Sequence, residues 1–170
     1  MRVDQFVDAF QGGGVRVQLS WDRLDSSEFS ATHTVSRSTG LLGSLFTVWY
    51  EGQQGGNSDW RRAAHPLRVS EASRTEPDWP ANRRHRVSSF EKEFVQAREP
   101  IQLVLPTYAL HDGGLLLLDG THRAVAAHRA SVPVRLLIYT LRGPVHQDVL
   151  PDLRHHTARV PPSGPGTSVG

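Results

Sequence analysis

Residues 115–123 read LLLLDGTHR, and AVAAHRAS follows as residues 124–131. Four consecutive leucines predict a strand that is buried on both faces. Gly120 allows a sharp backbone turn, and the alanine-rich sequence after it predicts a helix from Thr121 to Ser131. The stretch therefore predicts a rigid strand, a tight turn and a helix in direct succession, and we assign the rest of the chain outward from it.

The side chains at this junction suit an anion-binding site. The first amides of a helix have no acceptor within the helix, and the helix dipole adds partial positive charge there. Thr121 is predicted to cap the helix, and His122 and Arg123 lie in the same first turn. With the space left by Gly120, these groups favour binding of a phosphate or a carboxylate. The alternative is an ordinary turn in which Asp119 caps the helix.

The final third of the chain has the clearest secondary-structure pattern. The turn sequence HDGG separates apolar residues 101–110 from the leucine strand, which predicts a hairpin. An apolar strand is predicted over 132–141. Residues 1–150 are expected to form one domain, and residues 151–170 are predicted to be disordered because they lack apolar periodicity.

The first half of the chain contains weaker patterns. Helical spacing of apolar residues predicts a helix over 3–10, and alternation predicts a half-buried strand over 15–21. Residues 22–40 are predicted to be irregular or weakly helical. Strands are predicted over 41–52 and over 65–72.

A polar connection is predicted over 73–86. Ser88 and Glu91 match a capping box, so a helix is expected to begin there, with Phe90, Phe94 and Val95 on its apolar face and Pro100 ending it. Strands and helices mix without strict alternation, which predicts the α+β class.

Composition limits the protein class. The 170 residues are 38% hydrophobic and 21% charged, and no apolar run is long enough to span a membrane. The absence of cysteine excludes thiolate catalysis and fits a cytoplasmic setting. A net charge of +2 is too small for the basic face of an autonomous DNA-binding protein, so DNA is not an expected partner.

The junction, its helix and the following apolar strand resemble the ParB/sulfiredoxin superfamily. The upstream sequence REPIQLVL is similar to that family's Pro-Ile-x-Val strand. The resemblance covers about residues 65–142 and implies a core of a small mixed sheet with packed helices. Residues 1–64 are then an N-terminal extension, which either shapes a substrate pocket or widens the core.

The resemblance implies a nucleotide-phosphate pocket. The superfamily has three branches with different chemistry, and the sequence fits them unequally. Thr121 occupies the position of the sulfiredoxin cysteine, which excludes that repair reaction. No segment after residue 142 is long enough for the DNA-binding domain of chromosome-partitioning ParB proteins. The free-serine kinases carry Asp-Gly-His-Thr-Arg, and DGTHR is similar, with His and Thr exchanged. The imidazole and the hydroxyl therefore leave the turn in swapped directions.

On the kinase branch, the resemblance implies binding of ATP or ADP, or alternatively CTP, together with Mg²⁺. Phosphates would lie on the residues Gly120, Thr121, His122 and Arg123. The expected catalytic residues are His122, which faces the transferring phosphoryl group, and Asp119, which binds Mg²⁺ or orients a small-molecule acceptor. Glu71 is the candidate general base, with Glu76 behind it, and both are chosen by position alone.

Two other functions are compatible with the sequence. One is a ParB-like regulator that senses nucleotide or contacts DNA through its arginines. The RRHR run at 83–86 could contact phosphate or nucleic acid, and the alternative is a solvated loop. The other is a biosynthetic enzyme in which the pocket binds an acidic small molecule and His122 acts as acid or base. The histidine spacings indicate no metal site.

Overall fold

The computed structural model describes residues 1–13, 15, 17–24, 27–59, 61–62 and 64–156, and within them it confirms the predicted α+β class. The helices are α1 (Val3–Phe10), α2 (Thr39–Ser44), α3 (Val69–Ala72), α4 (Ala81–Val95) and α5 (Thr121–Ala130). The strands are β1 (Ser30–Ser36), β2 (Phe46–Gly52), β3 (Asn57–Ser58), β4 (Ala64–Arg68), β5 (Ile101–Ala109), β6 (Leu115–Leu117) and β7 (Val134–Arg142). Short 3-10 helices span Trp21–Arg23, Glu76–Asp78 and Pro151–His155.

All these strands belong to one mixed sheet. Its order is β1-β7-β5-β6-β2-β3, and β4 also pairs with β2. The pairs β5–β7 and β2–β6 are parallel, whereas the other pairs are antiparallel. The predicted hairpin is confirmed, since Thr107 of β5 lies opposite Leu117 of β6.

Each face of the sheet has its own apolar core, because successive strand residues point to opposite faces. Leu103 and Leu105 of β5, with Leu136 and Ile138 of β7, pack with α3, α4 and α5. On the other face, Tyr108 and Leu141 pack with Phe6 and Phe10 of α1. The buried residues of α5 are mostly alanines, and their small side chains let the helix lie close to the sheet.

Residues 1–64 contribute interior as well as edge strands to the sheet. They contribute β1, β2 and β3, and β2 lies between β6 and β4. Phe46 of β2 pairs with Leu116, so residues 1–64 directly contact β6, the strand that leads into the DGTHR turn. The N-terminal segment therefore completes both cores.

Three predictions in the first half of the chain are wrong. Described residues of the expected strand at 15–21 form local turns, in which Leu19 N–H donates to Val17 O (2.9 Å) and Trp21 N–H to Leu19 O (3.0 Å). The stretch 22–40, expected to be irregular, contains β1. The stretch 41–52 begins in α2, and only its later part is strand β2.

Further assignments need correction around α3 and α4. The expected strand at 65–72 ends at Arg68, and Glu71 belongs to α3 instead. The connection predicted over 73–86 is largely helical, because α4 begins after Pro80, whose φ of −56° suits a helix start. Ser88 and Glu91 therefore lie inside α4. Val95, expected on its apolar face, is exposed.

The beginning of the predicted disordered tail is folded. Residues 151–156 run through the last 3-10 helix, with Leu153 fully buried. The Tyr50 hydroxyl donates a hydrogen bond to the buried Asp152 carboxylate, which fixes this segment to β2. Residues 157–170, the rest of the predicted tail, lie outside the described residues.

The described helices include none with the length and apolar character required to cross a membrane.

Candidate functional site

The predicted junction opens into a surface cleft of about 480 Å³. Strand β6 ends at Leu117, residues 118–120 form the turn, and α5 begins at Thr121. The cleft is lined by residues from four parts of the chain, namely Val17, Val48, Trp49, Arg86, Phe90, Leu118, Asp119, Gly120, Thr121, His122 and Arg123. The structure therefore brings together all the predicted site residues of the junction.

Gly120, not Thr121, caps α5. Its φ of 84° is left-handed, a conformation that glycine adopts without strain, and it supplies no side-chain hydrogen bond to the helix. A Cβ at this position would lie 3.1 Å from Leu105 Cδ2. Because the capping residue is a glycine, the first backbone N–H groups of α5 have no side-chain acceptor at the cap.

Thr121 occupies the first turn of α5 and is only 5% exposed. Its Oγ1 is buried, and within the described ranges the hydroxyl has no hydrogen-bond partner. A buried hydroxyl without a partner costs about 1–3 kcal/mol. Thr121 is one of the residues that line the cleft, and an unsatisfied hydroxyl on such a residue is a physical indication of a ligand site.

Charged side chains of both signs surround this helix start. Arg123 Nη2 lies 3.5 Å from Asp119 Oδ2 in an ion pair one helical turn apart. Arg86 enters the cleft from α4. Two guanidinium groups from different helices and one carboxylate leave the lining of the cleft with excess positive charge, which favours an anionic ligand.

The ring of His122 is held by an aromatic group. It packs edge to face against Trp49, with 5.1 Å between ring centroids. Trp49 in turn contacts Trp79 at 5.4 Å, and the Arg83 guanidinium lies 4.2 Å from the Trp49 ring centroid. Burial lowers the pKa of Arg83 to about 10, and its Nη1 donates to Asn57 Oδ1 at 2.7 Å.

The structure places the two predicted glutamates outside this cleft. Glu71 Oε2 accepts a hydrogen bond from the Arg68 backbone N–H at 2.7 Å and lines a different surface cleft with His65 and Arg74. Glu76 Oε2 lies 2.7 Å from Arg129 Nη2 in an ion pair. Neither glutamate is among the residues that line the DGTHR cleft, and the role of Glu71 as general base stays a prediction.

Sequence reasoning missed the opposite wall of the cleft. The sequence leaves the RRHR run as a solvated loop or a phosphate contact, whereas Arg86 lies on α4 and lines the cleft opposite α5. Val48 and Trp49 come from β2, so the N-terminal segment shapes the pocket as well as the core. The aromatic, alternating sequence of β2 was the available signal, but it did not indicate which strand would lie beside β6.

Cavity volume alone does not single out this cleft. A cleft of about 520 Å³ lies beside Phe29 and His146, and among its described lining residues none begins a helix of eight or more residues. Among the described residues, no group of three or more metal-ligating side chains is found. A divalent cation in the DGTHR cleft would therefore need ligand oxygens besides Asp119.

Comparisons of this chain with models of known protein families, with curated proteins and with solved structures find no match. The geometry of the cleft therefore carries the functional conclusion.

Proposed function

We propose that the DGTHR cleft binds a nucleoside di- or triphosphate, and that the protein transfers or hydrolyses its terminal phosphate. The observation that carries the proposal is the unsatisfied Thr121 hydroxyl at a helix start whose cap has no side-chain acceptor. The similarity of the sequence to the ParB/sulfiredoxin superfamily, closest to its free-serine-kinase branch, supports the same ligand class.

The phosphate end of the ligand fits the start of α5. Helix amides and the helix dipole favour an anion at this position, and Gly120 in its left-handed conformation turns the chain into the helix. Arg123 already lies beside the turn, and Arg86 approaches from α4. Arginine binds phosphate oxygens in pairs, so the two guanidinium groups suit neighbouring phosphates.

The nucleoside end fits the apolar part of the cleft. Val17, Val48 and Phe90 line this part, and the volume of about 480 Å³ lies within the range of small-molecule pockets, roughly 300–1,000 Å³. ATP, ADP and CTP share the phosphate chain and differ in the base and in the number of phosphates. The phosphate contacts are therefore expected to dominate affinity for all of them.

Asp119 and His122 are the residues that we assign to the chemistry. Asp119 would hold Mg²⁺, which neutralises phosphate charge when bound, or would orient the hydroxyl of a small-molecule acceptor. The position of His122 is fixed by Trp49, so its ring is held at one place in the cleft and can donate to the phosphoryl oxygens. Phosphoryl transfer requires mainly positioning and charge neutralisation, which these residues supply.

The test is calorimetric titration of the full chain with ADP, ATP and CTP, with and without Mg²⁺. We expect binding of at least one nucleotide, weakened at least tenfold by Arg123→Ala. Arg135→Ala removes an exposed cation from β7 and serves as the matched control, with no expected change. The absence of binding by every nucleotide, or equal losses in both variants, would overturn the proposal.

Turnover is measured separately from binding. We expect release of phosphate, or its transfer to a hydroxyl-bearing small molecule, to be abolished by Asp119→Asn while nucleotide binding persists. Nucleotide binding without turnover for any acceptor would favour the regulator instead, and duplex DNA would then be the ligand to test.

A further inference from the structure

The outer edge of β1 is available for strand pairing. Along its seven residues β1 pairs with β7 on one side, in an unbroken antiparallel register. On the other side, no strand of the described chain lies beside it. The backbone N–H and C=O groups on such an edge form a template for another strand.

The sequence of β1 lacks the features that usually prevent edge pairing. SATHTVS contains neither proline nor any aspartate, glutamate, lysine or arginine. Thr32, His33 and Thr34 are exposed, and Val35 is 50% exposed. The strands at the opposite end of the sheet differ, since β3 has two residues and β4 contains Pro66.

The order of residues in β1 is nearly the same in both directions. Read from either end, serine is followed by a small or branched apolar residue, then by threonine, with His33 at the centre. We propose that a second copy of this chain pairs antiparallel with β1 across a two-fold axis at His33. The two seven-stranded sheets then continue into one.

This register matches side chains of the same kind. Thr32 lies opposite Thr34 of the second copy, and cross-strand threonine pairs are favourable. Val35 lies opposite Ala31 of the second copy, so the half-exposed valine gains an apolar neighbour. Ser30 lies opposite Ser36 of the second copy, and no fixed like charges meet. This self-complementarity favours a second copy over an unrelated strand.

The sheet face next to the proposed axis extends the contact. One row of apolar side chains runs across β1, β7 and β5, and it consists of Val35, Leu137 and Val104. It lies on the same face of the sheet as α1, but α1 packs nearer to Leu141 of β7. Val104 is 36% exposed, which is high for the interior of a sheet. Because a two-fold interface uses the same patch twice, pairing at β1 closes the assembly at two copies.

A single cysteine tests the axis, because the natural chain contains none. Opposite residues of antiparallel strands have Cα atoms about 4.5–5.5 Å apart, within the range that a disulfide spans. We expect His33→Cys to form a covalent dimer rapidly on mild oxidation. Val95→Cys, on the exposed side of α4, is the matched control and should remain mostly monomeric. Equal cross-linking of both variants would contradict the proposal.

Charge substitution gives a second, independent measurement by sedimentation. The unmodified chain should sediment as a dimer, whereas His33→Glu and His33→Lys should each sediment as monomers because like charges meet at the axis. An equal mixture of the two variants should restore the dimer. A monomeric unmodified chain at every concentration tested, or a mixture that stays monomeric, would overturn the proposed pairing.

Discussion

Thr121 stands in an environment that leaves its hydroxyl without a partner within the described part of the chain. The hydroxyl is buried, and Thr121 lines the cleft. Such a group lowers stability in the unliganded state, yet it offers a donor to an incoming phosphate. Under the proposed function, the site combines a local stability cost with a preorganised contact, as binding sites often do.

Replacing this hydroxyl by a methyl group separates the two effects. We expect Thr121→Val to raise the free energy of unfolding of the unliganded protein by about 1 kcal/mol, since the unsatisfied oxygen is removed while the shape is kept. Nucleotide affinity should fall at least fivefold in the same variant. Chemical denaturation and calorimetry measure the two quantities, and a variant that loses stability and binds normally would show that the hydroxyl is structural.

The chemistry of individual junction residues was predictable, but their neighbours were not. LLLLDGTHR indicates a strand, a turn and a helix from adjacent residues alone. Arg86 and Trp49 join the site only because α4 packs on α5 and β2 pairs with β6. The position of Glu71 outside the cleft was not predictable for the same reason, since it depends on α3, a helix of four residues that its own carboxylate helps to cap.

At the scale of elements, α5 ends with a residue in an unfavourable conformation. Ser131 has a φ of 52°, in the left-handed region that glycine adopts without strain. The residue is exposed, and its backbone N–H still donates to His128 O at 3.3 Å. The strain is therefore local to the backbone of the cap.

Glycine at this position should stabilise the protein. We expect Ser131→Gly to raise the free energy of unfolding by about 0.5–1 kcal/mol, as the Cβ strain is removed and part of the gain is offset by the greater freedom of glycine in the unfolded chain. Ser131→Ala keeps the Cβ and is the control, with little expected change. Thermal denaturation measures both variants, and no difference between them would contradict this explanation.

Elements with a continuous apolar or alternating pattern were predicted well. The hairpin of β5 and β6, helix α5 and strand β7 follow the prediction within a few residues. Strand β1 was missed because Ala31 is its one buried residue, so its sequence has no apolar face to detect. The start of α4 was missed because its first turns are polar, and its stability comes from Val87 and Phe94 farther along.

At the scale of the whole molecule, the segment 151–156 packs against β2 through its side chains. Asp152 accepts from Tyr50, and the rings of His155 and His156 pack against Tyr50 and Phe46. Burial, and then the charge of His155, lowers the pKa of His156 to about 4, although Asp112 acts in the opposite direction. The folded protein therefore favours the neutral form of the His156 imidazole.

This packing predicts a loss of stability in mild acid. The unfolded chain binds the His156 proton near its ordinary pKa of about 6.5, whereas the folded protein binds it near 4. Stability should therefore fall as the pH decreases through this window, by on the order of 2 kcal/mol from this group. Burial raises the pKa of Asp152, which has the opposite effect on stability.

The control for this prediction is His156→Gln, which cannot be protonated. Denaturant unfolding of both proteins at several pH values between neutral and 4 should show a smaller acid loss in the variant, while the contribution of Asp152 cancels in the difference. Parallel pH profiles for the two proteins would show that His156 does not control the acid response.

The pairing of β1 with β7 has a consequence for how the chain folds. Ser30 pairs with Arg142, so β1 leaves the ribosome well before the strand β7 that pairs with it. Contacts between distant residues raise the contact order and slow folding, and an uncharged strand that stays unpaired meanwhile is prone to aggregation. We therefore expect the yield of folded protein to depend on translation speed and on chaperones that shield SATHTVS until β7 has been synthesised.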